Sequence, residues 1–464
     1  MPKFGLCYLY STAVLTTLFL DLNSYFASVE QQVQPALRNR PVAVAPVTND
    51  SGCCIAASYE AKAFGVKTGT RVGDARILCP QIQIVDARPR LYVLMHHRIL
   101  KAIDRHIPID RVHSIDEVSC RLDRTQRTPE AAAELARRIK AEIRASCGVC
   151  MRCSIGIAPN RVLAKLGTDL QKPDGLVILQ DEDLPRKIEH LSPQELSGIG
   201  PRMMKRLARA GITTIGDLYR RSEAELRTLW GGMVGECWYH ILRGRQVFEK
   251  PVRKSSVGHQ HVLAPEVRTP EGARSVAIRL LLKAAARMRH ENYAARKLTL
   301  GLRFPSDGPS TSAWNGVSWS QWISLGPGCL DTMTMLEALD DLWQQAPSGA
   351  PLLVSVTLHD LVAPGSLTLP LFNQQYRRES LSRAMDAVNR KFGANKVYTA
   401  AMHGARFHGT GGIAFNHIPN LEVADSVQSR QRGDGGSPYL TDAQMEALLD
   451  ESLRYDAQPK RPET

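Results

Sequence analysis

Two apolar runs, each delivering acid to its end, set the tightest limit on what this chain can fold into. The first is Thr17-Leu18-Phe19-Leu20-Asp21, and the second is a short strand over 110–114 that meets its turn in His113-Ser114-Ile115-Asp116-Glu117-Val118. The first reads as a core strand, and the second delivers its acid pair where it ends. Neighbouring side chains of a strand point to opposite faces, so Asp116 and Glu117 can serve one site only where the strand ends or bends. Taken alone, such a pair reads as a solvated turn, because Asp and Glu are mostly exposed. Asp21 changes that reading, since the ends of adjacent antiparallel strands would lie roughly 5 Å apart. Three carboxylates in one small space are what two-metal phosphoryl transfer requires, with two Mg²⁺ ions held between them.

The chain of 464 residues has room for three or four domains, each with its own core. A net charge of +13 calls for a polyanionic partner, most simply nucleic acid. A membrane-surface role is disfavoured, because no basic amphipathic helix stands apart from the folded pattern. The ten cysteines follow no disulfide framework and suit a reducing, cytoplasmic setting. Cys147, Cys150 and Cys153 have a metal-like spacing but lack a fourth ligand, and Cys150 to Ile157 reads as a buried strand. They are expected to be core cysteines. Residues 4–20 resemble a signal peptide in hydropathy only: the run has one preceding lysine, Lys3, no clear cleavage site, and ends in the acid-bearing strand. An extended or misassigned start is the expectation, with no transmembrane helix.

In order, the pattern gives a strand (17–22), a helix start (23–30), strands (41–45 and 53–57) and a helix from Ser58 closed by Gly65 and Gly69. Helices at 91–106 and 129–145 alternate with strands at 110–114 and 150–158, followed by a helix at 162–170. This suits a mixed layer with an antiparallel sheet. The stretch 184–245 turns helical around Leu196-Ser197-Gly198-Ile199-Gly200-Pro201. It fits a helix-hairpin-helix, whose glycine-rich turn offers Gly198, Gly200 and a helix N-terminus to a DNA phosphate, with Arg202, Lys205 and Arg206 close by. The competing reading is a packed helical hairpin. After a basic linker (249–254) the order strand, helix, strand, strand, helix, strand over 255–360 is a split βαβ unit. Its basic segment Lys283 to Arg289 could track phosphates or be a solvated face. Beyond about residue 421 disorder is expected, with a short helix at 441–453.

Several of these stretches, taken together, resemble the Y-family (DinB/UmuC) translesion DNA polymerases. They are Leu20 to Glu30, Ala57 to Lys62, Ser114 to Glu117, Cys153 to Asn160, Lys165 through Lys172-Pro173-Asp174-Gly175, and Gly198 to Pro201, in order over about residues 17–372. The resemblance implies an α+β, multidomain right-hand polymerase with a ferredoxin-like palm (17–24 and 88–180) and small fingers (25–87). A helix-hairpin-helix thumb (181–249), a βαββαβ little finger (252–362) and a tail with a clamp-binding-like peptide (363–464) would follow. It also implies addition of dNTPs to a primed DNA template. Asp21, Asp116 and Glu117 would be the catalytic metal ligands, with the Leu22 carbonyl completing one sphere. Tyr59, Lys62 and Lys172 would hold the triphosphate. Phe26 would be the steric gate against a ribose 2′-OH, with Tyr25 beside it; for both, ordinary core packing is the alternative.

Three positions depart from the family pattern. Asn23 stands where many members have a second Asp, and Lys62 where DinB-type members have Arg, so it would meet phosphate as a point charge. Thr368 replaces the usual Gln of a sliding-clamp peptide, whose anchors would be Leu369, Leu371 and Phe372 unless that segment folds onto its own domain. A UmuD-like accessory protein is a possible partner. A catalytically silent subunit that recruits another polymerase is the rival reading, and a nucleotide cyclase with the same paired-acid logic is a third. The three acids argue against the former, and the helix-hairpin-helix and little finger against the latter.

Overall fold

Strand β1 (Thr17–Leu22) is buried along nearly its whole length, as an unbroken apolar run demands of a strand covered on both faces. It runs directly into helix α1 (Tyr25–Val33). Then come β2 (Val42–Ala45), β3 (Ala56–Ala57), the single turn α2 (Tyr59–Lys62), α3 (Val72–Leu78) and β4 (Gln83–Asp86). Helix α4 (Pro89–Asp104) leads into the hairpin of β5 (Ile109–Val112) and β6 (Glu117–Arg121). After it come α5 (Pro129–Cys147), β7 (Cys153–Ala158), α6 (Arg161–Leu170) and β8 (Leu176–Ile178). Helices α7 (Pro201–Arg209), α8 (Ile215–Tyr219), α9 (Glu223–Trp230) and α10 (Met233–Leu242) follow. This computed structural model describes residues 14–50, 52–247, 253–305, 316–367, 373–393, 395–405 and 441–457.

The first sheet has the order β5-β6-β1-β7-β8, so the acid-bearing strand β1 lies at its centre. It pairs antiparallel with β6 and β7. A smaller sheet, β3-β2-β4, forms a separate layer with its own core around Ala43, Val66 and Val72. Helix α6 lies against β1 and β7. Gly156 permits this contact, because a Cβ there would stand 2.0 Å from the Ala164 carbonyl oxygen. The sequence reading overstated two elements here. The strand at 53–57 shrinks to Ala56–Ala57, because Cys53 is drawn into a bridge with Arg71. The helix from Ser58 stops at Lys62, with Gly65 and Gly69 both at positive φ. Conversely, α3, β4 and β8 are elements the periodicity did not reveal.

A second compact unit is built by β9 (Ser256–Val262), α11 (Pro270–His290), β10 (Ala295–Phe304), β11 (Val317–Cys329), α12 (Thr332–Gln344) and β12 (Leu353–His359). Its sheet order, β11-β10-β12-β9, is the split βαβ arrangement expected from the sequence. The helix α13 (Asn373–Phe392) closes this unit, and its Asp386 takes Arg289 of α11 at 2.6 Å. Arg287 pairs with Glu291 at 3.1 Å, so two charges of the basic segment are committed within the unit. The C-terminal helix α14 (Asp442–Ala457) belongs to the first unit and runs longer than the short helix expected. Residues 421–440, where disorder was expected, and the clamp-peptide residues Leu369, Leu371 and Phe372 lie outside the described residues.

Cys147 and Cys153 are buried and free, and burial pushes both thiols up to about 12. Such thiols are inert core groups, as expected. Among the described residues no helix is long and apolar enough to cross a membrane.

Candidate active site

The register of β1 against β6 sets Asp21 directly opposite Glu117. Residues opposed in an antiparallel pair face the same side of the sheet, so these two carboxylates converge. Asp116 comes from the bend 114–116 that precedes β6, not from the strand itself. That bend removes the alternation that would have turned Asp116 away. Its backbone is tied in as well: the Leu22 N–H donates to the Asp116 carbonyl at 2.8 Å. Leu22 therefore sits at the junction of all three acids.

Asp116 is held protonated more readily than an ordinary aspartate. Burial raises its pKa, and the Asp21 and Glu117 charges add to the rise against a hydrogen bond from the Ser114 hydroxyl. A cluster in that condition favours a cation. Two lysines supply one. Lys165 of α6 bonds Asp21 and reaches Glu117 at 3.1 Å and Asp169 at 3.3 Å. Lys172 lies 2.8 Å from both Asp21 and Asp169. Burial alone would lower the Lys165 ammonium, yet Asp21, Asp169 and Glu117 raise it above the lysine range. Among the described residues no three His, Cys, Asp or Glu side chains are grouped closely enough to hold a metal ion as they stand. The carboxylate oxygens nonetheless suit hard cations, and the lysine ammonium groups stand among them as the counter-charge.

Tyr59 and Lys62 of α2 approach the same charges. The Lys62 ammonium sits 4.4 Å from the centre of the Tyr59 ring and donates to the Ser24 hydroxyl at 2.8 Å. Burial, then the nearby Lys172 charge, lowers the Lys62 pKa. A cation depressed by a second cation beside it makes an anion welcome. Sequence motifs thus bring Asp21, Asp116, Glu117, Tyr59, Lys62 and Lys172 into one electrostatic neighbourhood. Lys165 enters the sequence reading only as the start of a motif, and Asp169 not at all. A helical spacing of i, i+4 between them was the available signal.

Tyr25 and Phe26 open α1 and are both 3 % exposed. Phe26 stacks on Tyr92 of α4 with ring centres 4.6 Å apart, and the Tyr25 hydroxyl donates to the Tyr92 carbonyl at 2.6 Å. Tyr25 is thus tied into the core through both ring and hydroxyl. Behind them Glu30, fully buried, receives Arg88 through Nε at 3.0 Å and through a second guanidinium nitrogen. Glu30 also takes the Tyr92 hydroxyl at 2.8 Å. His96, also buried, meets the Ile115 carbonyl through Nδ1 at 2.8 Å, and burial pulls its pKa down to about 4. A carbonyl only accepts, so Nδ1 carries the proton. Neither Glu30 nor His96 was assigned a part by the sequence.

Asn23 faces the loop that carries Lys172. Its Oδ1 accepts the Asp174 N–H at 2.7 Å, and its Nδ2 donates to the Ser154 hydroxyl at 3.1 Å. Farther along, Gly198 adopts φ 109 against the Trp238 ring, and Gly200 caps α7 with Pro201 in the first turn. Arg202, Lys205 and Arg206 line the exposed side of α7.

The impB/mucB/samB family matches residues 20–169, and its C-terminal domain matches residues 254–371. A DNA polymerase IV of Moorella thermoacetica is 34% identical over 396 residues, spanning 82% of this chain and 95% of that protein. DNA polymerase IV 2 of Mesorhizobium japonicum is 30% identical over 412 residues, covering 84% and 95%. Among solved structures, a Y-family DNA polymerase chimera aligns with a TM-score of 0.60 at 24% identity, covering 75% of this chain and 99% of its own. That likeness concerns the fold alone, and it agrees with the mixed sheets and helices described above. Taken with the register that joins Asp21 to Glu117, these matches place the chain in the Y-family of DNA polymerases, on its DinB side.

Proposed function

We infer that this chain is a DNA-templated DNA polymerase of the translesion type. It adds dNTPs to a primer by phosphoryl transfer, opposite damaged template. The observation that carries this reading is the Asp21–Glu117 register with Asp116 at its edge and two lysines among the acids. A silent accessory subunit would have no use for that arrangement.

In this reading Asp21, Asp116, Glu117 and the Leu22 carbonyl would hold two Mg²⁺ ions. Held there, such ions would supply the positive charge that activates an attacking primer 3′ oxygen and neutralises a leaving pyrophosphate. Lys172 and Lys62 turn to the triphosphate, with the Tyr59 hydroxyl, and neutralise charge as the leaving group departs. Phe26 fills the space a 2′-OH would occupy, and Tyr25 anchors it. Gly198 and Gly200 offer backbone N–H groups to the duplex. The palm is residues 17–24 and 88–180, the fingers 25–87, the thumb 181–249 and the little finger 252–362. The segment with Leu369, Leu371 and Phe372 binds a sliding clamp. A UmuD-like protein is an accessory, and the enzyme works in the cytoplasm.

The test is primer extension across defined lesions with Mg²⁺. Asp116→Ala and Glu117→Ala are each expected to lose roughly 10³-fold or more in rate, as removal of a metal ligand should. DNA binding should survive in both. Undiminished extension by both variants would overturn the assignment.

A further inference from the structure

The helix α14 packs against α1 and α4, on residues beyond Phe26 and Tyr92. Leu449 and Ser452 are 1 % and 4 % exposed, and they mark its inward stripe. Asp456 takes Arg38 at 2.6 Å, the Gln32 amide at 2.9 Å and the Val149 N–H at 3.2 Å. Arg38 also donates to the Gln31 and Gln32 carbonyls, which end α1. Gln32 in turn accepts the Cys150 N–H at 2.9 Å, and it reaches Ser452 at 3.3 Å. From the other side, Arg98 of α4 meets Glu446 at 2.5 Å and Asp450 at 2.9 Å. Acids one turn apart on one helix therefore grip α4, and a third acid grips α1.

Those two helices are the ones that meet at the gate. Phe26 and Tyr25 contact Tyr92 at their other ends. Gln32 lies six residues beyond Phe26, and Arg98 six beyond Tyr92, which is about 9 Å along each helix. A change in spacing between α1 and α4 at the braced end would be felt at the stacked rings, because both helices are rigid over that length. We propose that α14 is an intramolecular brace for the gate, with Glu446, Asp450 and Asp456 as positioning residues that sharpen the choice of dNTP over rNTP. This rests on the reading of Phe26 as the steric gate.

The experiment uses the full chain. One variant is Arg98→Glu, a second is Glu446→Arg with Asp450→Arg, and a third combines all three changes so that the charges are swapped. Hydrogen exchange reads whether α14 and the end of α1 are protected. Single-nucleotide kinetics read the ratio of kcat/KM for dNTP over rNTP. Each one-sided variant is expected to lose protection at α14 and to lower the ratio roughly fivefold, while the swap restores both, as coupled neighbours do. Restoration by the swap excludes simple misfolding of the one-sided variants. An unprotected α14 in the wild type, or an unchanged ratio in variants whose α14 has come free, overturns the brace. Phe26→Ala is the control for the underlying reading. If the ratio survives Phe26→Ala, the gate assignment fails; if it collapses there and holds in the one-sided variants, the brace alone fails.

Discussion

Two neighbouring regions of the first unit handle buried charge in opposite ways. At the acid cluster, Asp21 shares two lysines, and each lysine also touches a second carboxylate. Behind the gate, Glu30 is gripped by the Arg88 guanidinium and the Tyr92 hydroxyl. Lysine is a point charge on a flexible stem, whereas arginine presents a planar fork that fixes both distance and direction. The first arrangement can exchange its partners when a metal or a triphosphate arrives. The second has no reason to. The contrast separates groups that carry chemistry from groups that hold the wall against which chemistry is aligned.

The largest test of that contrast is Asp21→Asn. It should cost roughly 10³-fold in extension rate, about 4 kcal/mol of barrier. The fold should lose less than it does when a buried charge is stranded, because Lys165 keeps Glu117 and Asp169, and Lys172 keeps Asp169. Rapid-quench extension and urea unfolding of the same preparation read the two quantities. A drop of several kcal/mol in stability would erase the distinction.

Glu30→Ala should invert the pattern. Removing one partner of a buried pair strands the other charge, here Arg88, at a cost of about 3 kcal/mol. The loss should appear first as a lower urea midpoint. The surviving folded fraction should still extend primers within about tenfold of the wild type, since no metal ligand has gone. Full stability in this variant would mean that the wall is not built on Glu30.

How much of this was legible beforehand follows from the same division. Strands and helices with continuous periods, such as β1, α5 and the split βαβ unit, could be read because local pattern and burial agree. The acids could be read because motif order along the chain substitutes for contact. Elements of three or four residues, such as β4 and β8, offer too few positions to show a period. Partnerships across long separations were also hidden: Glu30 with Arg88, His96 with Ile115, and α14 with Arg38 and Arg98. Nothing in the spacing of Glu30 says which arginine will face it. Only the packing of α1 against α4 does. Lys165 was hidden for a related reason, because its reach depends on Gly156 letting α6 lie close to β7.

His96 allows a smaller test through pH. Its pKa, about 4 in the fold, lies below the ordinary value of about 6.5, so the unfolded chain binds the proton more tightly between those values. The stability it confers is therefore present above about pH 6.5 and is lost as pH falls toward 4. Its share should be about 3 kcal/mol, of which about 2 kcal/mol falls between pH 7 and 4.5. Unfolding free energies of wild type and His96→Gln, measured from pH 7 to pH 4.5, isolate it from the titrating carboxylates. The wild type should fall more steeply. Parallel curves would show that the buried imidazole is not neutral, and that the Ile115 carbonyl beside the acids is held by something else.

The smallest effect should come from Asn23→Asp, which joins the two regions. The Asn23 amide holds the Lys172 loop by accepting the Asp174 N–H, and it leans on the Ser154 hydroxyl as a donor. An aspartate keeps the first bond. It forfeits the second unless the serine hydroxyl rotates to donate, which gives up a long contact of 3.4 Å to the Gln171 carbonyl. The exchange trades one hydrogen bond for another, so stability should change by less than about 1 kcal/mol. Lys172 would then sit on a loop anchored by a new charge. The KM for dNTP should shift about threefold while kcat holds, the pattern of altered ground-state binding. Steady-state kinetics on an undamaged template measure both. A fall in kcat with constant KM would place Asn23 among the groups that act on the reacting atoms, and the boundary between chemistry and wall would have to be redrawn one residue closer to Asp21.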